Sequence, residues 1–132
     1  MLYICKQYKK VYQLLNMDTD TQDANSKKEL AALMDTIYVI GGKWKMPIIF
    51  AICKGHQHRF RELERSVTGI TSRMLSLELK EMELNKLITR TVYPETPVRI
   101  EYEITEYCKT LVPMLQSMVD WGMLHRQKIR ED

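Results

Sequence analysis

Apolar positions recur at helical spacing through the first third of the chain and then change period. Leu30, Leu33, Met34, Ile37 and Tyr38 form one stripe, behind a Ser26/Glu29 pair at the spacing of a capping box. Gly41-Gly42 supplies the stop for that helix. A second helix is predicted from about Trp44 to Lys54. Pro47 suits only its first turn, and Ile48, Ile49, Phe50 and Ile52 make it nearly all apolar, which predicts burial. Phe60, Leu63 and Val67 predict a short amphipathic helix closed by Gly69. Thr71 or Ser72 then caps a third helix that runs to about Asn85. On it Leu75, Leu79 and Met82 share a narrow arc, with Arg73, Ser76, Leu77 and Lys80 opposite. Glu78 and Glu81 point away from the basic side, and only Glu83 approaches its edge.

From Leu87 the period becomes two. Leu87 to Tyr93 predicts a strand, Pro94-Glu95-Thr96-Pro97 a turn, and Val98, Ile100, Tyr102 and Ile104, alternating with Arg99, Glu101 and Glu103, a half-buried strand. Thr105 can cap a long final helix from Glu106 to about Lys128, with Leu111, Leu115, Met118 and Trp121 or Gly122 along one side. Val112, Met114, Val119 and Met123 widen that side beyond what a terminal helix of a small monomer would cover alone. Upstream, Tyr8, Val11, Tyr12 and Leu15 give a helical pattern over Leu2–Met17, and Asp18 to Asn25 is a polar loop. The expected organisation is an N-terminal helix and linker over 1–25, a core over 26–105 and a C-terminal dimerisation helix over 106–132. The fold class is mainly α (α+β): a winged helix-turn-helix with a two-stranded wing and terminal dimerisation helices. A short helix with one face for a core and one for a polyanion, followed by a β-ribbon, usually reads DNA.

Composition narrows this reading. The 132 residues suggest one domain with a real core, and 45% hydrophobic residues are too many for a disordered chain. The net charge of +3 permits nucleic-acid binding without demanding it. Its distribution says more: residues 43–90 hold ten Lys and Arg against five Glu, a net +5. The three cysteines, Cys5, Cys53 and Cys108, are far apart and odd in number, which fits a reducing cytosol rather than a disulfide framework. Met1 to Leu15 is too polar for a signal-peptide core, and no apolar run approaches the ~20 residues that span a bilayer. A cytoplasmic protein without a membrane partner is expected.

Candidate chemistry is concentrated on the third helix. Arg73, Ser76 and Lys80 are spaced i, i+3, i+7, a spacing suited to base edges in the major groove, with Leu77 placed for a thymine methyl. Thr71, Ser72 and the first backbone N–H groups suit a phosphate. Arg90 and Arg99 on the wing are candidates for phosphates or the minor groove, and Lys43, Lys45 and Arg59 for backbone positioning. The alternative for every one of these is a solvated surface charge. Cys53, His56 and His58 invite a metal reading, but the spacing lacks a fourth ligand, so no metal is expected. Neither a Ser/His/Asp constellation nor a Gly-rich phosphate loop is present, and the third histidine, His125, stands apart. The chain therefore does not read as an enzyme, and no cofactor is implied. The nine methionines read as adaptable packing rather than a ligand box, so any small-molecule effector stays undefined.

Six short motifs in order extend the argument. Gly41-Gly42-Lys43-Trp44, Arg59-Phe60-x-x-Leu63, Gly69-Ile70-x-x-x-Met74-Leu75, Val92-Tyr93-Pro94-Glu95-x-Pro97, Glu101-Tyr102-x-Ile104-Thr105 and Trp121-Gly122 together resemble the HxlR-type transcriptional regulators, allied to the MarR-like proteins. The resemblance spans roughly residues 30 to 122. It implies a homodimer closed by helices at both chain ends, here Tyr8, Val11, Tyr12 and Leu15 with Leu111, Leu115, Met118 and Trp121. It implies a recognition helix over Thr71–Asn85 and a wing over Arg90–Arg99. Three positions depart from the family pattern. A frequent Cys-Pro pair before the first family helix is Ala31-Ala32, so thiol sensing does not carry over to that place. A glycine usual before the first wing strand is Lys86, and another after the second strand is Cys108, which reads as a packed structural thiol.

The function expected is a sequence-specific regulator that binds double-stranded DNA as a homodimer on an inverted repeat. A winged-helix protein-interaction module with no operator of its own is the alternative. The basic, acid-free face of the third helix favours the first.

Overall fold

The computed structural model describes residues 24–131. The helix expected over Leu2–Met17, with Tyr8, Val11, Tyr12 and Leu15, lies outside the described residues, as does Cys5. The described residues divide into two compact units at the glycine pair, the first ending at Gly41 and the second beginning at Gly42.

The first unit contains helix α1, Ala24–Ile40. It is already helical at Ala24, so Ser26 sits inside it and the expected Ser26/Glu29 capping box is not used. Glu29 instead accepts a hydrogen bond from the Asn25 side chain at 2.9 Å. The helix stops where expected. A Cβ at Gly41 would lie 2.1 Å from the Ile37 carbonyl oxygen, so only glycine closes the turn this tightly.

The second unit holds α2 (Lys45–Cys53), α3 (Phe60–Ser66), α4 (Ser72–Leu84), strands β1 (Ile88–Tyr93) and β2 (Arg99–Ile104), the short α5 (Glu106–Lys109) and α6 (Val112–Glu131). Helix α2 is its central element. Ile48 and Ile49 are fully buried and Ile52 nearly so, as its apolar run predicted. Leu63 of α3 and Leu75, Leu79 and Met82 of α4 are buried with them in the core. Each such side chain contributes about 1.5–3 kcal/mol on leaving water. The strands form one antiparallel hairpin, with Ile88 opposite Ile104 and Tyr93 opposite Arg99. Both strands match their expected bounds to within a residue.

Two junctions hold the hairpin in place. Tyr102 N donates to the His58 carbonyl at 2.7 Å, and the His58 ring Nδ1 lies 3.1 Å from the Tyr102 carbonyl oxygen. The loop before α3 is thereby laced to the outer edge of β2. At the other end the Thr105 hydroxyl donates to Lys86 O at 2.7 Å and accepts from Cys108 N at 3.0 Å. Thr105 thus caps α5, as expected, and pins it to the start of β1.

One expected element divides. The continuous helix from Glu106 breaks at Thr110-Leu111 and restarts at Val112. Pro113 is the cause: it has no N–H for Lys109 O, and its ring would clash with that carbonyl inside a continuous helix. In the first turn of α6 it fits.

Candidate nucleic-acid interface

Helix α4 is positioned by its two ends. The Thr71 side chain accepts from Met74 N at 3.1 Å, which sets the first turn. The last turn closes with Leu87 N on Met82 O at 2.9 Å and Lys86 N on Glu83 O at 3.0 Å, the paired bonds of a Schellman motif. Lys86 takes the left-handed position of that motif, at φ 61°. This is the position before the first wing strand where the sequence resemblance implies a glycine.

Between these ends the helix divides as its pattern predicted. Leu75, Leu79 and Met82 are no more than 2% exposed. Arg73, Ser76, Leu77 and Lys80 all face solvent, with Leu77 at 55%. Among the described residues neither Arg73 nor Lys80 has an ion-pair partner. The face therefore presents two uncompensated cations, a hydroxyl and an apolar side chain. Ser72 is less free than expected. It is exposed, but its hydroxyl donates to Glu64 Oε1 of α3 at 2.8 Å, which places a carboxylate beside the spot proposed for a phosphate.

Two of the expected contact residues are engaged by carboxylates of the chain itself. Lys45 is only 6% exposed, and its ammonium lies 2.9 Å from Glu78 and 3.3 Å from Glu81, both on α4. Desolvation pulls its pKa down, but the hydrogen bond and charge of Glu78, followed by those of Glu81, outweigh it and the pKa ends above the usual lysine value. A charge held this way serves the interior and does not reach solvent for a phosphate. Arg99 is half-buried, bonded to Glu101 at 2.7 Å and Glu95 at 3.0 Å, and stacked 4.0 Å over the Tyr93 ring. Its pKa is raised, chiefly by the hydrogen bond to Glu95. Two carboxylates neutralise it, so on the wing Arg90, exposed and without an ion pair among the described residues, is the better-placed cation.

The remaining candidates, Lys43 and Arg59, are exposed, and Lys43 sits 4.7 Å over the Trp44 ring. Arg59 starts α3, where Glu62 accepts from both Arg59 N and His58 N at 3.0 Å. Those two bonds, Arg59 first, hold the Glu62 carboxyl below the usual carboxylate range. Arg61 and Arg65 join these cations although no motif marks them. Both are exposed, one turn apart on α3, and they line a groove of about 600 Å³ between α3 and the wing turn Glu95–Ile100. Their i, i+4 spacing inside the +5 segment was the available signal.

The thiols are passive here. Cys108 is fully buried and its pKa is pushed up to about 11, first by that burial and then by the neighbouring Cys53. Burial also raises Cys53. No group of three or more His, Cys, Asp or Glu is arranged to hold a metal among the described residues. The His58 ring is committed to the wing. No single helix among them is long and apolar enough to cross a membrane.

Of the expected dimer residues on α6, Leu115 is covered by its own chain, at 6% exposure. It therefore offers little surface to a second copy. Leu111 is half-buried, whereas Met118 and Trp121 stand out at 48% and 64%.

Three helices ending in an outward, cationic face, followed by a hairpin laced to the loop before α3, define a winged helix-turn-helix DNA-binding fold. Residues 39–130 match the HxlR-like helix-turn-helix family, and the chain belongs to it. An HTH-type transcriptional regulator of Halalkalibacterium halodurans, BH0655, is 42% identical over 88 residues, 67% of this chain and 78% of that protein. The redox regulator HypR in its reduced form superposes with a TM-score of 0.68 at 38% identity, covering 76% of this chain and 99% of HypR. A MarR-family regulator from Porphyromonas gingivalis W83 gives 0.64 at 34% identity, over 69% of this chain and 88% of that one. The protein is a transcriptional regulator.

Proposed function

We propose that the protein binds an inverted-repeat operator as a cytoplasmic homodimer, with α4 in the major groove and the wing on the backbone or minor groove. The observation that carries this is the face of α4. Arg73, Ser76, Leu77 and Lys80 are contiguous and exposed, and Leu75, Leu79 and Met82 behind them are buried. Arg73 supplies the fork for a guanine edge. Lys43, Arg59 and Arg90 supply phosphate contacts beside it, with Thr71 at the helix start.

The dimer reading rests on α6. Met118, Trp121, His125 and Ile129 continue the stripe begun by Leu111 and Leu115, and the three large apolar members of this continuation are 48–64% exposed. The Trp121 and His125 rings stack at 5.0 Å, which stiffens the strip. A second copy of the same strip is its natural cover. A two-fold dimer then presents two recognition helices to successive major grooves, about 34 Å apart. The reading assigns the protein no catalysis.

The test is a salt-titrated binding assay on double-stranded DNA from upstream of this protein's own gene. Wild type should discriminate this DNA from scrambled DNA, and Arg73→Ala should cost about 1–3 kcal/mol and relax discrimination at one base position. Operator affinity untouched by Arg73→Ala would mean that the groove face is wrongly placed. Absence of any DNA binding would favour an interaction module. Trp121→Glu should shift the sedimenting species from dimer to monomer.

A further inference from the structure

We infer that Lys45 is a positioning residue for base discrimination: it grips one flank of α4 and fixes the roll of the recognition helix about its own axis. The inference rests on the DNA-binding reading and adds a residue that touches no DNA. At about 100° per residue, Glu81 and Glu78 lie roughly 80° and 140° around the helix from Arg73. They occupy the strip between the outward face and the buried seam. The Lys45 ammonium bridges both, at 3.3 and 2.9 Å, from the first residue of the buried α2. On the other flank, roughly 100° from Arg73 in the opposite sense, the Ser72 hydroxyl is tied to Glu64 of α3 at 2.8 Å.

The leucines of the seam set the depth of α4 but resist rotation poorly, because apolar contacts are non-directional. The Lys45 ion pair on one flank and the Ser72–Glu64 hydrogen bond on the other act away from the seam, so a roll of the helix in either sense stretches one of them. Together they convert a seam into a fixed angle. The consequence is quantitative. A side-chain tip 5–6 Å from a helix axis moves about 1 Å for a roll of about 10°, which exceeds the ~0.5 Å tolerance of a preorganised contact. Arg73, Ser76 and Lys80 share that displacement. The Lys45 bridge also occupies two carboxylates that would otherwise stand free beside the phosphate-facing side.

The experiment uses the full chain with a duplex it selects from a random-sequence pool and a scrambled duplex of the same composition. The paired replacement Lys45→Met, Glu78→Leu removes the grip without leaving a lone buried charge, and a thermal melt confirms that the variant folds. Glu78→Gln is a milder change that should move the result the same way, and Lys45→Arg should restore most of it. The ratio of scrambled to selected dissociation constants should fall about tenfold, the worth of one well-made base contact. The log–log salt slope should not change, because no phosphate contact is lost. An unchanged ratio in a folded variant reduces Lys45 to a structural role and overturns the inference. So does a slope shallower by about 0.9, the mark of a lost phosphate contact. Wild-type protein that fails to discriminate at all sinks the regulator reading itself, and is distinct from both.

Discussion

Replacing Lys86 by glycine should stabilise the protein, although it removes a charged surface residue that makes no ion pair among the described residues. Lys86 closes the Schellman motif of α4 with φ at 61°, where Cβ crowds the following carbonyl and costs an L-residue about 1–2 kcal/mol. Glycine escapes this cost but loses more backbone freedom on folding, which returns about 0.4–1 kcal/mol. At the centre of these two ranges the net gain is about 0.8 kcal/mol. For a domain of this size that raises the melting temperature by about 2–6 °C. The motif's hydrogen bonds, Leu87 N to Met82 O and Lys86 N to Glu83 O, are backbone only and survive the change.

Urea denaturation at one fixed protein concentration measures the effect, because an associating chain has a concentration-dependent midpoint. Lys86→Ala is the control: it deletes the same charge but retains Cβ, and it should melt close to wild type. A rise in midpoint with unchanged m is the expected signature of Lys86→Gly. Equal gains from alanine and glycine would show that charge, not backbone strain, is at work. A fall with glycine would refute the argument entirely.

Leu79→Ala, at a site 2% exposed, should cost about 2–5 kcal/mol, while Leu77→Ala two residues earlier, 55% exposed, should stay within about 0.5, both read by thermal melting. Thr105→Ala removes the cap of α5 and its bond to Lys86 O, and should lower stability by about 1–2 kcal/mol in the same assay. The Cys108 thiol stays protonated to about 11 when folded but ionises near its ordinary value of 9.0 when unfolded. In that window the unfolded chain binds fewer protons, so stability is fully present below 9 and declines as pH rises toward 11. Denaturation midpoints of wild type and Cys108→Ala across that range should converge, and parallel curves would exclude the thiol as the cause.

The parts of the fold legible in the sequence are those set by period and punctuation. Leu75, Leu79 and Met82 point inward because three- and four-residue steps return to one face of a helix, and the hairpin followed from alternation on either side of Pro94 and Pro97. The break in the final helix is hidden in the sequence because the apolar stripe Leu111, Leu115, Met118 keeps helical spacing across it, which masks the backbone veto of Pro113. Arg99 was within reach: Glu101, two residues on, shares its strand face, and Glu95 lies across the turn.

Lys45 was not within reach. Helical geometry says where a side chain leaves its own helix, but not which element lies opposite. Its partners, Glu78 and Glu81, sit more than thirty residues away, brought near only by the packing of α4 on α2. That asymmetry bears on the site as a whole. A cation in a basic segment is free for DNA only where the fold leaves it without a carboxylate, so counting charge overstates the interface. Of the seven cations first assigned to DNA, Lys45 and Arg99 are consumed by internal pairs. The exposed Arg61 and Arg65 lie beside the wing turn without an ion-pair partner among the described residues. The balance of basic residues therefore stays the same while its position shifts toward α3, and the backbone track should follow Arg59, Arg61 and Arg65 rather than Lys45 and Arg99.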